Sequence, residues 1–201
     1  MAIATKPQSI IPPLDECQRR FERARTEFSR LVYGLNDIQF NWRPEAERWS
    51  AAECIDHCVV VGTLMNRNID DAIVRANERN LRSDGPFRYG AFGNFFVKAV
   101  GPSDEARKRK FKAPKAYTPT SNHSIGRLSE AFDRLQTEFA DRLARADGLD
   151  LARIKVPSAA GGVGVLIRLS LGQWFALLAN HQDRHIAQAW DVRKAMEAKG
   201  N

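Results

Sequence analysis

Apolar residues recur at intervals of three and four positions in four long stretches of the chain, with polar and charged residues between them. This spacing is typical of amphipathic α-helices, which turn one apolar stripe toward a protein core. The stretches predict helices over about residues 13–35, 51–79, 122–146 and 171–196. Four helices of this length predict an all-α fold, a four-helix bundle with one long crossover connection.

Helix start signals support two of these boundaries. Ser50 and Glu53 are three residues apart and have the pattern of a capping box, in which each side chain bonds the main-chain N–H of the other residue. Ser170 and Gln173 have the same spacing at the start of the last helix. We therefore expect α-helix to begin directly after each serine.

Two connections between the helices are longer than simple turns. Residues 81–121 contain glycines and prolines throughout, which interrupt any long element, although Ala91–Val100 predicts a short apolar helix. A long irregular excursion of this kind often forms a lid or a pocket wall. Residues 154–164 are also rich in turn-forming residues, and Val163–Ile167 has a strand-like composition.

The composition fits one globular domain. The chain has 201 residues, of which 43% are hydrophobic and 27% are charged, and this length suits a single core. We expect residues 1–12 to be an N-terminal tail and residues 13–201 to form one domain with an irregular insertion at 81–121. The chain has neither an apolar run of roughly 20 residues nor the apolar region of a signal peptide, so we expect a cytoplasmic protein with no membrane partner.

The net charge of +7 permits an acidic partner but does not require one. The densest basic run, Arg107–Lys110, lacks interleaved aromatic residues. This favours a solvated loop over a nucleic-acid-binding patch, so a nucleic-acid partner is not expected.

The cysteines do not predict disulfides. The chain has three cysteines. This number is too small for a disulfide framework, and because it is odd, the cysteines cannot all pair. Their positions on helical segments favour buried, reduced thiols that pack as small apolar side chains at Cys17, Cys54 and Cys58.

The last predicted helix carries polar residues in the middle of its apolar stripe. An unpaired polar group in a core costs roughly 1–3 kcal/mol, so two imidazoles and an amide in this stripe need partners. Histidines at positions i and i+4 share one helix face, and His181 and His185 can therefore reach a single metal ion. The stripe consists of Leu171, Trp174, Leu178, His181, His185, Gln188, Val192 and Ala195.

A third ligand for such a metal ion has to come from elsewhere in the chain. His57 lies in the apolar face of the second helix and is the better candidate, because His123 stands in a polar, exposed context. Three neutral imidazoles with one open position describe a catalytic centre for zinc, nickel, iron or a similar ion. Glu53 and Asp56 are further candidates, as a fourth ligand or as acceptors for an imidazole N–H.

Three groups of residues, taken together, resemble a known family. They are Asn41–Pro44, then Arg48–Glu53 followed by His57, and Asn180–Gln188 near the end of the chain. In this order they are similar to the DinB/YfiT-like superfamily of metalloenzymes, and the resemblance covers nearly the whole chain.

The resemblance implies an antiparallel four-helix bundle with a divalent metal ion held by His57, His181 and His185. It implies a homodimer and two kinds of activity, hydrolysis and thiol-dependent S-transfer or isomerisation with a low-molecular-weight thiol as co-substrate. The insertion at 81–121 departs from a minimal member of the superfamily, so the identity of the small-molecule substrate cannot be carried over.

These observations predict a metal-dependent enzyme that activates water or a thiol. Gln188 is the candidate for orienting the bound water or the substrate, and its alternative role is that of a core amide bonded to main chain. Trp49 and Trp174 are expected to pack in the core, and their alternative role is to line a pocket. Two other functions compete with the enzyme: a non-catalytic, stress-related protein that binds a metal or ligand, and a structural bundle whose histidines bond one another.

Overall fold

The computed structural model describes residues 10–103, 105 and 113–199. The described chain is mostly helical, which confirms the predicted all-α class. The basic run Arg107–Lys110 lies outside the described residues. The helices are α1 Leu14–Val32, α2 Asp37–Phe40, α3 Ala51–Glu78, α4 Ala91–Ala99, α5 Ile125–Ala146 and α6 Leu171–Lys199.

The four long helices, α1, α3, α5 and α6, lie where the apolar periodicity predicted them. Helices α1 and α3 each pack against both α5 and α6. Aromatic side chains fill the space between α1 and α5, where the rings of Phe21 and Phe139 stack with centroids 4.5 Å apart. Leu64 of α3 is an exception to this apolar periodicity, because it continues the apolar spacing of the helix but is 39% exposed.

A glycine sets the close approach of α3 to α5. A Cβ atom built at Gly62 would lie 2.7 Å from Leu135 Cδ1 and 2.9 Å from Phe139 Cζ. Both neighbouring side chains are fully buried. The absence of a side chain at position 62 therefore lets the two helices come closer than an alanine would allow.

Both predicted capping boxes are confirmed. Ser50 Oγ accepts from the Glu53 main-chain N–H at 3.1 Å, and Glu53 Oε2 accepts from the Ser50 N–H at 2.9 Å. At the start of α6, Gln173 Oε1 accepts from the Ser170 N–H at 3.1 Å, and Ser170 Oγ accepts from the Gln173 N–H at 3.4 Å. These bonds fix the first turns of α3 and α6.

The described part of the insertion at 81–121 lies against α6. Its predicted short helix is present as α4, and Gln173 and Asn180 of α6 bond main-chain carbonyls along it. Gln173 Nε2 donates to Gly90 O at 2.9 Å, and Asn180 Nδ2 donates to Val97 O at 2.7 Å. A short 3-10 turn, Lys115–Tyr117, follows nearer the end of the insertion.

The strand expected at Val163–Ile167 is wrong. Residues Gly162–Leu166 form a 3-10 turn, because Gly161 and Gly162 adopt positive φ angles of 73° and 51° that an extended strand does not contain. The extended segments lie on either side of this turn. They are β1, Lys155–Pro157, and β2, Arg168–Ser170, which pair antiparallel with Val156 opposite Leu169.

None of the helices in the described part of the chain is both long enough and apolar enough to cross a membrane. The cysteines are free and buried, as predicted. Burial raises the pKa of Cys17 to about 12 and keeps the pKa values of the Cys54 and Cys58 thiols above their ordinary value. All three therefore remain protonated thiols at neutral pH.

Candidate metal centre

The structure brings together the three histidines that the sequence singled out. His57 comes from α3, and His181 and His185 come from consecutive turns of α6, which packs against α3. One nitrogen of each ring can serve as a ligand, and these three atoms all lie within 4.8 Å of one another. His57 Nε2 lies 3.0 Å from His181 Nε2.

The cluster lies in the protein interior. His57 is 5% exposed and His185 is 8% exposed, while His181 is partly buried. Burial lowers the pKa of all three imidazoles, well below the ordinary value for His181 and His185. The positive charge of Arg184 lowers the last two further. All three rings are therefore neutral at pH 7, which is the protonation state that binds a metal ion.

The orientation of His57 is set by a main-chain carbonyl. His57 Nδ1 lies 2.6 Å from the carbonyl oxygen of Tyr117. A carbonyl only accepts hydrogen bonds, so Nδ1 carries the proton and donates it. The lone pair of His57 is consequently on Nε2, the atom that faces His181.

The side chain of Gln188 orients the ring of His185 in the same way. Its Oε1 lies 3.1 Å from His185 Nδ1, and with Nδ1 as the donor the lone pair of His185 is on Nε2. Neither role proposed from the sequence describes this contact, because the amide bonds a ring and not the main chain. Metal-binding histidines commonly have their second nitrogen held in this way.

The donor atoms suit a divalent ion. Two nitrogens bound to a tetrahedral zinc at about 2.0–2.1 Å lie about 3.4 Å apart, which is close to the 3.0 Å between the Nε2 atoms of His57 and His181. Without a metal ion, a neutral His181 satisfies this contact by donating from Nε2 to the lone pair on His57 Nε2, and a cation at this point would take the place of that proton. Imidazole nitrogen is a common ligand of zinc, nickel and iron.

The two carboxylates considered from the sequence have other partners. Glu53 accepts from Ser50, Arg43 and Ser121, and its place in the capping box turns it away from the imidazoles. Asp56 accepts from the main-chain N–H of Thr120 at 2.7 Å. Among the described residues, the metal-type group that includes these histidines contains no carboxylate. The Nδ1 atoms of His57 and His185 bond Tyr117 O and Gln188 Oε1, and neither bonds Glu53 or Asp56.

His123 is outside the cluster, as expected, but it is less exposed than its polar sequence context indicated. Its side chain is 15% exposed, and its Nε2 lies 3.4 Å from Asp56 Oδ2. The same nitrogen lies 2.9 Å from the carbonyl oxygen of Thr120. The end of the insertion covers this ring, which the local sequence did not indicate.

The two tryptophans pack, as predicted, but in different surroundings. Trp174 is 5% exposed, and its Nε1 donates to the carbonyl of Val156 at 2.9 Å. Trp49 packs against the histidines themselves, with its ring centroid 4.8 Å from that of His57 and 5.8 Å from that of His185. Trp49 therefore forms one wall of the cluster.

The Tyr117 carbonyl is the part of the site that sequence reasoning missed. A main-chain oxygen has no residue-type signal, and Tyr117 is 60 positions from His57. The only available sign was the length of the insertion at 81–121, since long excursions often serve a site.

In this mostly helical protein, three neutral imidazoles converge from two packed helices, and two of them are buried. These features define the class of candidate metalloproteins. Comparison with known proteins gives the family. Residues 20–189 match the sequence profile of the DinB superfamily, and the chain belongs to this superfamily. It is also similar to the Bacillus subtilis (strain 168) protein YuaE, which is described as uncharacterized, with 22% identity over 178 residues. The aligned region covers 88% of this chain and 97% of YuaE. No solved structure matches the chain.

Proposed function

We propose that this chain is a metal-dependent enzyme of the DinB superfamily with one divalent ion held by His57, His181 and His185. The observation that supports this most directly is the group of three neutral imidazoles with no fourth protein ligand among the described residues. Structural zinc sites use four protein ligands, whereas catalytic sites use three and leave one position open.

A divalent ion in such a site acts as a Lewis acid that lowers the pKa of a coordinated water or thiol. The chain's own groups prepare the site for it. Tyr117 O and Gln188 Oε1 hold the Nδ1 protons of His57 and His185, and this directs the Nε2 lone pairs inward. The Trp49 ring shields two of the imidazoles from bulk water.

The reaction we propose is hydrolysis or the transfer of a low-molecular-weight thiol to a small-molecule substrate. Zinc, nickel and iron are the candidate ions, because three imidazoles suit each of them. We further propose that residues 13–201 form a single domain, an antiparallel four-helix bundle of α1, α3, α5 and α6 with 81–121 as its crossover. The protein is proposed to act as a homodimer.

The metal content of purified protein tests the proposal. Elemental analysis of protein prepared with excess divalent metal should give one ion per chain, and His57→Ala and His181→Ala should each lose it. His123→Ala is the matched control and should keep one ion, because His123 is partly buried but outside the cluster. The proposal would be wrong if wild-type protein prepared under these conditions were folded but contained no divalent metal.

A second measurement separates an enzyme from a non-catalytic metal-binding protein. Cobalt-loaded protein should change its visible absorption when a low-molecular-weight thiol is added, because an open position accepts an external ligand. A cobalt spectrum that no thiol or small anion alters would indicate a closed site and favour the non-catalytic alternative.

A further inference from the structure

We infer that Asp56 is a positioning residue for the metal centre, acting on His57 through Tyr117 and Thr120 of the insertion. The inference rests on the proposed function, because it assigns a role toward the ion that the histidines would hold. Asp56 does not touch the three-histidine cluster itself. Its role depends on two hydrogen bonds joined by a short stretch of main chain. The Asp56 carboxylate accepts from Thr120, the main chain runs from Thr120 back to Tyr117, and the Tyr117 carbonyl accepts from His57.

The last contact decides the orientation of the ring. The Tyr117 carbonyl accepts from His57 Nδ1 at 2.6 Å. Because this acceptor belongs to the main chain, its position depends on where the polypeptide lies and not on the identity of a side chain. Anything that fixes this stretch of the insertion against α3 also fixes the tautomer of His57.

Asp56 provides that attachment. Its Oδ2 accepts from the main-chain N–H of Thr120 at 2.7 Å and from Thr120 Oγ1 at 3.1 Å. Asp56 directly precedes His57 in α3, so a single turn of helix carries both the imidazole and the group that holds its acceptor. The Asp56 side chain is 11% exposed, and hydrogen bonds to a carboxylate are roughly twice as strong as those between neutral groups.

Two further contacts hold the same stretch of the insertion. The Tyr117 hydroxyl lies 3.2 Å from Ser158 Oγ, and His123 Nε2 lies 2.9 Å from the Thr120 carbonyl. These contacts constrain the Tyr117 side chain and the far side of Thr120. Glu53 also joins the insertion to α3, because its Oε1 accepts from Ser121 Oγ at 2.7 Å. Asp56 differs from Glu53 in that it directly precedes His57 and bonds Thr120, which is nearer to Tyr117.

Removal of the carboxylate should therefore weaken metal binding without removing a ligand. Loss of an outer partner of a metal-binding histidine typically costs 10–100-fold in affinity. We expect Asp56→Ala to lower the affinity for Co²⁺, measured by competition with a chelator, by a factor in this range. Asp56→Asn keeps an oxygen acceptor for the Thr120 N–H and should recover part of the loss.

Asp70→Asn is the matched control. Asp70 is also a carboxylate on α3, but it bonds Arg142 at 2.5 Å and Arg145 at 2.7 Å, both on α5. This variant removes ion pairs that anchor the same helix, and its Co²⁺ affinity should stay within about twofold of wild type, since it touches no partner of a histidine. Equal losses in Asp56→Ala and Asp70→Asn would overturn the inference.

The tautomer of His57 gives a readout that a merely structural role would not move. In ¹⁵N NMR spectra of metal-free wild-type protein, His57 should carry its proton on Nδ1, and Asp56→Ala should shift the population toward Nε2–H. An unchanged tautomer in folded Asp56→Ala overturns the inference. If that variant does not fold, two milder variants replace it, Asp56→Asn and Thr120→Val, the second of which removes the hydroxyl contacts with Asp56 and His123 and keeps the main-chain N–H. Each should shift the tautomer by a smaller amount, and an unchanged tautomer in both variants overturns the inference.

The two proposals can fail separately. If wild-type protein binds no Co²⁺, the proposed function fails, and the tautomer measurement alone then decides the role of Asp56. If wild type binds one ion and Asp56→Ala binds it equally well, the function stands and the inference is wrong.

Discussion

At the scale of single residues, each of two imidazoles in the cluster is held by an oxygen acceptor. Tyr117 O holds His57 at 2.6 Å and Gln188 Oε1 holds His185 at 3.1 Å. An acceptor on Nδ1 leaves Nε2 unprotonated, whereas a donor would have the opposite effect. The chemistry of the cluster therefore depends on residues that are not themselves candidate ligands.

Glu53 shows how a single buried carboxylate links this region to pH. Burial alone would raise the pKa of Glu53, but the hydrogen bonds from Arg43, the Ser50 N–H and Ser121 outweigh it and leave the pKa below its ordinary value of 4.5. Since the unfolded chain then binds the proton more readily, the carboxylate stabilises the fold above pH 4.5 and loses this effect as the pH falls through the lowered pKa.

Replacement of Glu53 by glutamine should therefore make stability less sensitive to acid. Glu53→Gln keeps the capping-box geometry but lacks the titrating group. Urea unfolding at a series of pH values should show the variant less stable than wild type near neutrality and the two curves converging as the pH falls below 4.5. Curves that stay parallel over this range would show that the pKa of Glu53 is not lowered in the folded protein.

At the scale of elements, the long helices could be predicted because the three- and four-residue spacing of apolar positions is repeated many times along each one. A single exception such as Leu64 does not obscure a stripe of buried positions. The small sheet could not be predicted in the same way, because β1 and β2 have three residues each. The glycines at 161 and 162 decide where these strands end, and their φ angles are not visible in sequence.

The candidate site was predictable to the same degree as the helices that carry it. His181 and His185 share a face by their spacing, and the apolar face of α3 placed His57 toward them. The direction of Asp56 could not be deduced, since it lies beside that face and turns toward Thr120 of the insertion. Contacts between a helix and an irregular segment have no periodicity from which to infer them.

The packing of α4 against α6 can be tested through one glycine. A Cβ atom at Gly93 would lie 2.3 Å from Gln173 Oε1, and Gln173 is fixed by bonds to Ser170 and to the Gly90 carbonyl. Gly93→Ala should therefore destabilise the protein by roughly 1–3 kcal/mol, the usual cost of overpacking, despite the better helix propensity of alanine.

Gly90→Ala is the control for this substitution. Position 90 precedes the same helix, and a Cβ atom there would meet nothing within 4 Å. Its effect on the free energy of unfolding should stay within about 0.5 kcal/mol, as for most surface changes. Equal unfolding midpoints for the Gly93 and Gly90 variants would show that α4 is not packed on Gln173.

At the scale of the whole molecule, the insertion contacts both helices that supply the histidines. It bonds α6 through Asn180, next to His181, and bonds α3 through Asp56, next to His57. A metal ion held between α3 and α6 would therefore also stabilise the arrangement of the insertion. Binding to the folded state alone raises stability by mass action.

Added metal should raise the melting temperature by an amount set by the ratio of its free concentration to its Kd. At a free metal concentration of about 100 times Kd, the folded state gains about 2.7 kcal/mol, which corresponds to roughly 5–10 °C for a domain of this size. The His57→Ala variant should show little of this shift, and His123→Ala should show most of it. Equal shifts in wild type and His57→Ala would place metal binding elsewhere in the chain.

The most direct test of a three-histidine centre is anomalous diffraction from crystals grown with zinc, measured on both sides of its absorption edge. The account predicts one strong anomalous peak enclosed by the rings of His57, His181 and His185, at about 2.0–2.1 Å from their ligand nitrogens. Ordered crystals at saturating zinc that show no peak between these rings, or show peaks only at other positions, would contradict it.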